Sequence, residues 1–122
     1  MRHGKHNKKL ARPTDQRLAM LRSMVCALLE HNQIQTTRVR AKQVQRLADR
    51  VITLAKVNDL AAKRRVVAML QDKALAKKLW GQSEKFAARK GGHTRLINIG
   101  TRRGDAAPLV LLELVDIASA SR

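Results

Sequence analysis

Residues 38–56 constrain this chain more than any other stretch. Val44, Leu47, Ala48, Val51, Ile52 and Ala55 fall on one face of a helix, while Arg38, Lys42, Arg46 and Arg50 recur at four-residue steps along roughly the opposite side. Such a helix needs two environments. Its apolar face must be covered by other elements of the chain, and its basic face must meet water or a polyanion. A lone basic stripe is usually just a solvated face. Here the whole chain carries 26 Lys+Arg against 9 Asp+Glu in 122 residues, a formal net charge of +17. A body with that surplus repels itself until something neutralises it, and nucleic acid is the commonest neutraliser. The surplus is uneven: residues 105–122 hold Asp105, Glu113 and Asp116 against Arg122 alone.

The other elements follow from periodicity and punctuation. Residues 1–13 lack hydrophobic periodicity and carry Arg2, Lys5, Lys8, Lys9 and Arg12 with no acid, so they read as a disordered basic arm that settles on a polyanion. Thr14 is placed to cap a helix over about 15–30, with Asp15 at its positive end, Leu18, Leu21, Val25, Leu28 and Leu29 inward, and His31-Asn32 ending it. Ile34-Gln35-Thr36-Thr37 reads as a short strand, and Thr37 is placed to cap the basic helix. After Asn58, Asp59 caps a third helix over 60–70 with Leu60, Val67 and Leu70 inward. Gln71-Asp72 interrupts before a fourth helix over 73–80, carrying Leu75 and Leu79, which resumes beyond Gly81 through 83–88 with Phe86 packed. Gly91-Gly92 closes the helical half. A strand over His93–Ile99 puts Arg95, Ile97 and Ile99 on one side, a loop begins at Gly100, and Pro108 opens a nearly all-apolar strand over 109–115. The two strands should pair antiparallel. The fold class is α+β in two layers: helix, strand, three helices, two strands, with the helices packed on a small mixed sheet. Residues 14–116 form a single domain, and 117–122 form a flexible tail.

Composition excludes several functions. Cys26 is the single cysteine, so there is no intrachain disulfide and no thiolate zinc site; among Met24, Val25, Leu28 and Leu29 it reads as a small core residue. Trp80 and Phe86 are the only aromatic rings besides histidine, too few for a row of base-stacking platforms. Recognition should rest on phosphates, sugars and shape. The basic N-terminus is not followed by an apolar stretch, and no run is long enough to cross a membrane, so the chain reads as cytoplasmic. The acids Asp15, Asp49, Asp59, Asp72 and Asp105 are scattered, several at cap positions, and no phosphate-binding glycine motif occurs, so no catalytic residue and no cofactor is assigned. His3 and His6 lack further ligands, and no metal site is assigned. Arg103-Gly104-Asp105 matches an adhesion tripeptide by coincidence, and Asp105 belongs to its own turn.

In order and spacing, a set of short segments resembles one family. These are Met1-Arg2-His3, Ile34-Gln35-Thr36-Thr37 before the basic helix, Ile52-Thr53-Leu54-Ala55-Lys56 at its close, Arg64-Arg65, Gly91-Gly92-His93-Thr94-Arg95, and Arg103-Gly104-Asp105-Ala106-Ala107-Pro108 leading to Glu113-Leu114. The chain resembles the bacterial large-subunit ribosomal protein seventeen family over nearly all of residues 1–116. The resemblance implies a non-catalytic α+β domain that binds large-subunit, 23S-type ribosomal RNA near the exit of the nascent-peptide tunnel. It also implies RNA contacts by the arm, the Thr-Thr turn and the Gly-Gly hairpin, which here are Arg2, His3, Lys5, Thr36, Thr37, Arg38, Thr94 and Arg95. This chain departs from the family pattern at His93, where a tyrosine is common, and at Gln35, where a lysine is common.

The residues themselves suggest the mechanism. The stripe Arg38, Lys42, Arg46 and Arg50 is a rigid comb for a phosphate backbone, and each contact releases counterions. Thr36 and Thr37 offer hydroxyls beside the free amides at the start of the basic helix. The arm residues Arg2, Lys5, Lys8, Lys9 and Arg12, with His3 and His6 between them, supply mobile contacts. Arg95, Arg102 and Arg103 form a second basic cluster. Neighbouring large-subunit proteins are further expected partners, through the 109–115 strand; no membrane and no small-molecule substrate is expected. A DNA-binding module is the rival, although Lys63, Arg64 and Arg65 are consecutive and splay around their helix, so no base-reading face stands out.

Overall fold

The structure, a computed structural model, describes residues 10, 12–57, 59–87 and 90–115. Nearly all of the expected arm and the whole of the expected tail lie outside the described residues. Among the described residues, eight elements follow in order: α1 (Thr14–His31), β1 (Gln33–Thr37), α2 (Arg38–Lys56), α3 (Leu60–Leu70), α4 (Lys73–Gly81), α5 (Ser83–Phe86), β2 (Thr94–Thr101) and β3 (Pro108–Leu114). The architecture is α+β, with helices covering one face of a three-stranded sheet. Four helices, not three, separate β1 from β2, because the chain breaks at Gly81-Gln82 and α5 stands as its own short turn.

Local chemistry sets most boundaries. Asn32 and Gln71 end α1 and α3 in the left-handed conformation, with φ of 68° and 53°. The Asp59 carboxylate accepts from the Ala61 amide at 3.4 Å, and Asp72 accepts from the Leu75 amide at 3.1 Å, so both carboxylates cap helix starts. Thr14 does not cap α1. Pro13 holds that position, its carbonyl accepting from the Arg17 amide at 2.9 Å, and Thr14 is the first helical residue.

The sheet order is β1-β3-β2, and both pairings are antiparallel. The expectation of a mixed sheet fails for a topological reason. β1 and β2 do run the same way, but β3 inserts between them, so no parallel pair is adjacent. This central position also explains why 109–115 is so apolar. Val110, Leu112 and Leu114 point into the helical layer and are fully or almost fully buried, while Leu109 and Leu111 lie half-buried on the opposite face. β2 extends past Gly100 to Thr101, beyond the expected start of the loop, because a bulge at Ile99 shifts the register and lets Gly100 and Thr101 pair with Leu109 and Pro108.

The core is aliphatic apart from Phe86, which meets His93 edge to face at 5.5 Å between ring centres. α2 lies at its middle, burying Ala41, Val44, Ala48, Val51, Ile52 and Ala55. Two expected core leucines lie outside it. Leu18 is 52% exposed because the buried face of α1 begins one turn later, at Leu21. Leu60 is 62% exposed because α3 packs through Ala62, Val66 and Leu70, and Leu60 lies across the helix from Ala62. Cys26 sits at the core edge, its thiol 3.6 Å from the Leu70 carbonyl oxygen, and burial raises its pKa. No described helix is long and apolar enough to cross a membrane.

Leu112→Ala should cost about 2–5 kcal/mol, because it empties a fully buried site on the central strand. Leu18→Ala should stay within about 0.5 kcal/mol. Urea denaturation of both variants checks the assignment.

Candidate nucleic-acid interface

The basic side of α2 is built as a supported edge. Arg38, Lys42, Arg46 and Arg50 are all exposed, while the buried residues of the same helix are locked into the core. Over twelve residues the stripe spans about 18 Å, with neighbouring cations about 6 Å apart along the axis. The start of α2 is unusual among the longer helices. Thr37 occupies the cap position with extended backbone, but its side chain makes no cap hydrogen bond, and the first turn holds Arg38 and Arg40 with no acid. Cations at the positive end of a helix dipole are unfavourable on their own and suit an arriving anion.

The register of the sheet decides which basic groups meet. Thr37 pairs with Leu109, and Leu109 pairs with Gly100, so one row across the sheet joins the start of α2 to the base of the β2–β3 turn. Arg102 and Arg103 therefore lie at the same end as Thr37 and Arg38. Arg95 pairs with Glu113, and Glu113 with Gln33, at the opposite end. Six strand residues, 96–101, separate Arg95 from Arg102, roughly 20 Å. The expected cluster of Arg95 with Arg102 and Arg103 is thus split by the length of β2.

Two of these arginines are already engaged. Arg95 donates from Nε to Glu113 Oε1 at 2.9 Å, and its Nη2 also contacts that oxygen. Glu113 is fully buried, while the Arg95 side chain remains 42% exposed. Removing Arg95 would strip a buried carboxylate of this donor, so its substitution would disturb the sheet as well as any RNA contact. Arg102 donates from Nε to Asp105 Oδ1 at 3.1 Å, and the same oxygen accepts from the Ala107 amide at 3.2 Å. This confirms Asp105 as a turn residue. Its carboxyl is held down to about 2, mainly by the Arg102 hydrogen bond. Arg103 is exposed beside it.

The Gly-Gly turn is tied to α2. Asp49 Oδ1 accepts from the His93 amide at 3.2 Å and from the Thr94 hydroxyl at 3.4 Å, and Gln45 Nε2 donates to the Thr94 carbonyl at 3.4 Å. Gln45 and Asp49 each adjoin a cation of the stripe, Arg46 and Arg50. Thr94 and His93 are buried. The Thr94 side chain is therefore a structural anchor, and the ring of His93 packs inward on Phe86. Gly91 and Gly92 are the exposed part of the turn, and Gly92 at φ 64° adopts a conformation other residues rarely take. Thr36 and Thr37 are half-buried on β1. Of the arm, Arg12 is described and exposed; Arg2, His3, Lys5, His6, Lys8 and Lys9 lie outside the described residues.

Sequence reasoning missed the anchors Gln45 and Asp49 and a third basic group, Lys63, Arg64 and Lys73, around Trp80. Spacing held a signal for that group: Leu60, Lys63, Arg64 and Val67 follow the i, i+3, i+4, i+7 pattern of a single helix face. Among the described residues, no three His, Cys, Asp or Glu side chains come together to hold a metal ion.

The Asp49 carboxyl is raised above its usual 3.8, chiefly by burial, against the lowering effect of the His93 amide, the His93 charge and the Thr94 hydroxyl. The folded chain therefore binds more protons than the unfolded chain just above that pH, and stability falls as pH rises through the window between the two values. Asp49→Asn keeps an acceptor oxygen and should remove this slope. Asp49→Ala should cost about 1–3 kcal/mol at neutral pH by leaving the His93 and Thr94 donors without it. Urea titrations of the three chains from acid to neutral pH check both.

Residues 20–115 match the family described as Ribosomal protein L17. The chain is 51% identical over 118 residues to a protein named large ribosomal subunit protein bL17 from Desulfosudis oleivorans, covering 96% of this chain and 57% of that protein. It is 50% identical over 109 residues to the protein of that name from Clostridium perfringens and 49% identical to that from Clostridium acetobutylicum, covering 88% of this chain and 96% of each relative. The chain thus spans a little over half the length of the first relative and nearly all of the clostridial ones. With most of its length matched at about half identity, this chain belongs to the ribosomal protein L17 family.

Proposed function

We propose that the chain is a structural, non-enzymatic constituent of the large ribosomal subunit in the cytoplasm, binding and stabilising large-subunit ribosomal RNA near the peptide exit tunnel. The observation that carries this reading is α2: a helix clamped into an aliphatic core along one side and lined with exposed cations along the other. A rigid comb of that kind loses little side-chain and backbone freedom when phosphates dock, and arginine forks grip two phosphate oxygens at once. Arg38, Lys42, Arg46 and Arg50 meet one RNA backbone. Thr36, Thr37, Arg102 and Arg103 extend the contact at one end of the sheet, and the Gly91-Gly92 turn and Arg95 extend it at the other. The arm, with Arg2, His3, Lys5, His6, Lys8, Lys9 and Arg12, adds contacts from residues 1–13, while residues 14–116 act as one domain and 117–122 as a tail.

Relatives named as large-subunit proteins support ribosomal RNA as the polyanion and give no support to DNA. Nor does α3 offer a base-reading face, since its Lys63 is turned over the Trp80 ring. Neighbouring ribosomal proteins are the other partners. Because β3 is paired along both edges, its contribution to such a contact is limited to the outer face, where Leu109 and Leu111 sit.

Counterion release gives the test. Arg38→Ala/Lys42→Ala/Arg46→Ala should lower the slope of log affinity against log salt for a large-subunit RNA fragment by about 2–3, one contact per residue. Unchanged slope and affinity in filter binding would remove α2 from the interface.

A further inference from the structure

We propose that the groove between α3 and α4 receives a single unstacked nucleotide, with its base against Trp80 and its flanking phosphates on Lys63, Arg64 and Lys73. This rests on the RNA-binding reading above and assigns it a site remote in sequence from the α2 stripe. The groove encloses about 350 Å³ and is lined by Leu60, Lys63, Arg64, Val67, Lys73 and Trp80. Its apolar walls come from a second face of α3, the one bearing Leu60 and Val67; Val67 is half-buried against the core, while Leu60 lies outside it. Leu60 is 62% exposed there. The Lys63 ammonium stands 5.5 Å from the centre of the Trp80 ring, a cation–π distance.

Charge complementarity selects the occupant. The wall itself is apolar: Lys63, Arg64 and Lys73 line it with their aliphatic stems and carry their charges at its rim, and no acid lines it. The adjacent acids are occupied in capping: Asp59 caps α3 through the Ala61 amide at 3.4 Å, and Asp72 caps α4 through the Leu75 amide at 3.1 Å. An apolar ligand alone would leave three cations clustered around it, and a simple anion would leave the apolar walls exposed. A nucleotide within an RNA strand supplies both parts: a flat base for the ring and apolar walls, and a phosphate on each side for the cations. Lys63 has the reach to leave the ring face for a phosphate as the base arrives. An acidic apolar peptide is a rival occupant. It would need carboxylates spaced to meet three cations around one apolar side chain, whereas RNA carries a phosphate at every step. With two aromatic rings in the chain besides histidine, and Phe86 buried, the site holds one base and not a row of them.

The chain reports on this groove by itself. Trp80 is its only tryptophan and it has no tyrosine, so intrinsic emission comes from this one place. The full chain should be titrated with a single-stranded oligoribonucleotide, with a paired duplex of the same length, and with an acidic leucine-rich peptide. Emission and filter retention are measured on the same samples. The proposal expects the single strand to quench Trp80 severalfold more than the duplex at equal retention. Trp80→Leu should weaken single-strand retention about tenfold while sparing the duplex, and Trp80→Phe should restore most of it. Lys63→Ala/Arg64→Ala/Lys73→Ala leaves the indole in place and should weaken the quench about tenfold, which keeps a readout should Trp80→Leu fail to fold. RNA retained with unchanged Trp80 emission overturns the groove site and leaves the RNA-binding reading standing. Quenching by the peptide and not by RNA makes the groove a protein-docking site and also overturns the proposal. Failure to retain any RNA sinks both readings.

Discussion

The structure depends on the burial of one side of α2. Ala41, Val44, Ala48, Val51, Ile52 and Ala55 are small or branched, so the sheet and the other helices can approach this helix closely and build the core around it. Half of that face is alanine, which adds little side-chain volume and lets neighbouring backbones come near. A chain with a formal charge of +17 needs such a boundary. The core must exclude the cations and yet hold them in fixed positions, and a long helix with one buried side does both.

The same helix organises the surface. Its first residue stands beside the β2–β3 turn, and Gln45 and Asp49 hold the Gly-Gly turn near the opposite end of the sheet. Basic groups far apart in sequence are thus strung along one edge with α2 as the spine. Asp49 is the group that couples the two layers. Partly buried and hydrogen-bonded to the His93 amide and the Thr94 hydroxyl, it turns a flexible pair of glycines into a fixed corner. Two ion pairs do a similar service: Arg95 covers the buried Glu113, and, at the surface, Arg102 closes its turn through Asp105.

Much of this was legible in the sequence. The bounds of α2 and α3 and the caps at Asn32 and Asp59 follow from local signals that act within one turn, and the structure reproduces them. What the sequence hid is non-local. The insertion of β3 between β1 and β2 depends on how the chain returns across the helical layer, which no periodicity encodes, and with it went the antiparallel order and the separation of Arg95 from Arg102. Leu60 and Val67 show a second limit. Apolar spacing marks a face but does not say how deep each position lies; Val67 packs half-buried against the core, Leu60 is left exposed, and Ala62 and Val66 are the buried positions. Thr94 and His93 show a third, since a polar residue after a glycine pair looks exposed until a carboxylate from a distant helix is seen to hold it.

The account requires α2 to be rigid before RNA arrives. Amide hydrogen exchange on the free chain measures this directly. The account predicts that the amides from Val44 to Ala55 exchange only through global unfolding, with the slowest rates in the chain alongside β3, and that adding RNA slows chiefly the first turn at Arg38–Arg40. Fast exchange throughout α2 in the free chain, becoming slow only once RNA is bound, would mean that the comb folds on its partner and would contradict the claim.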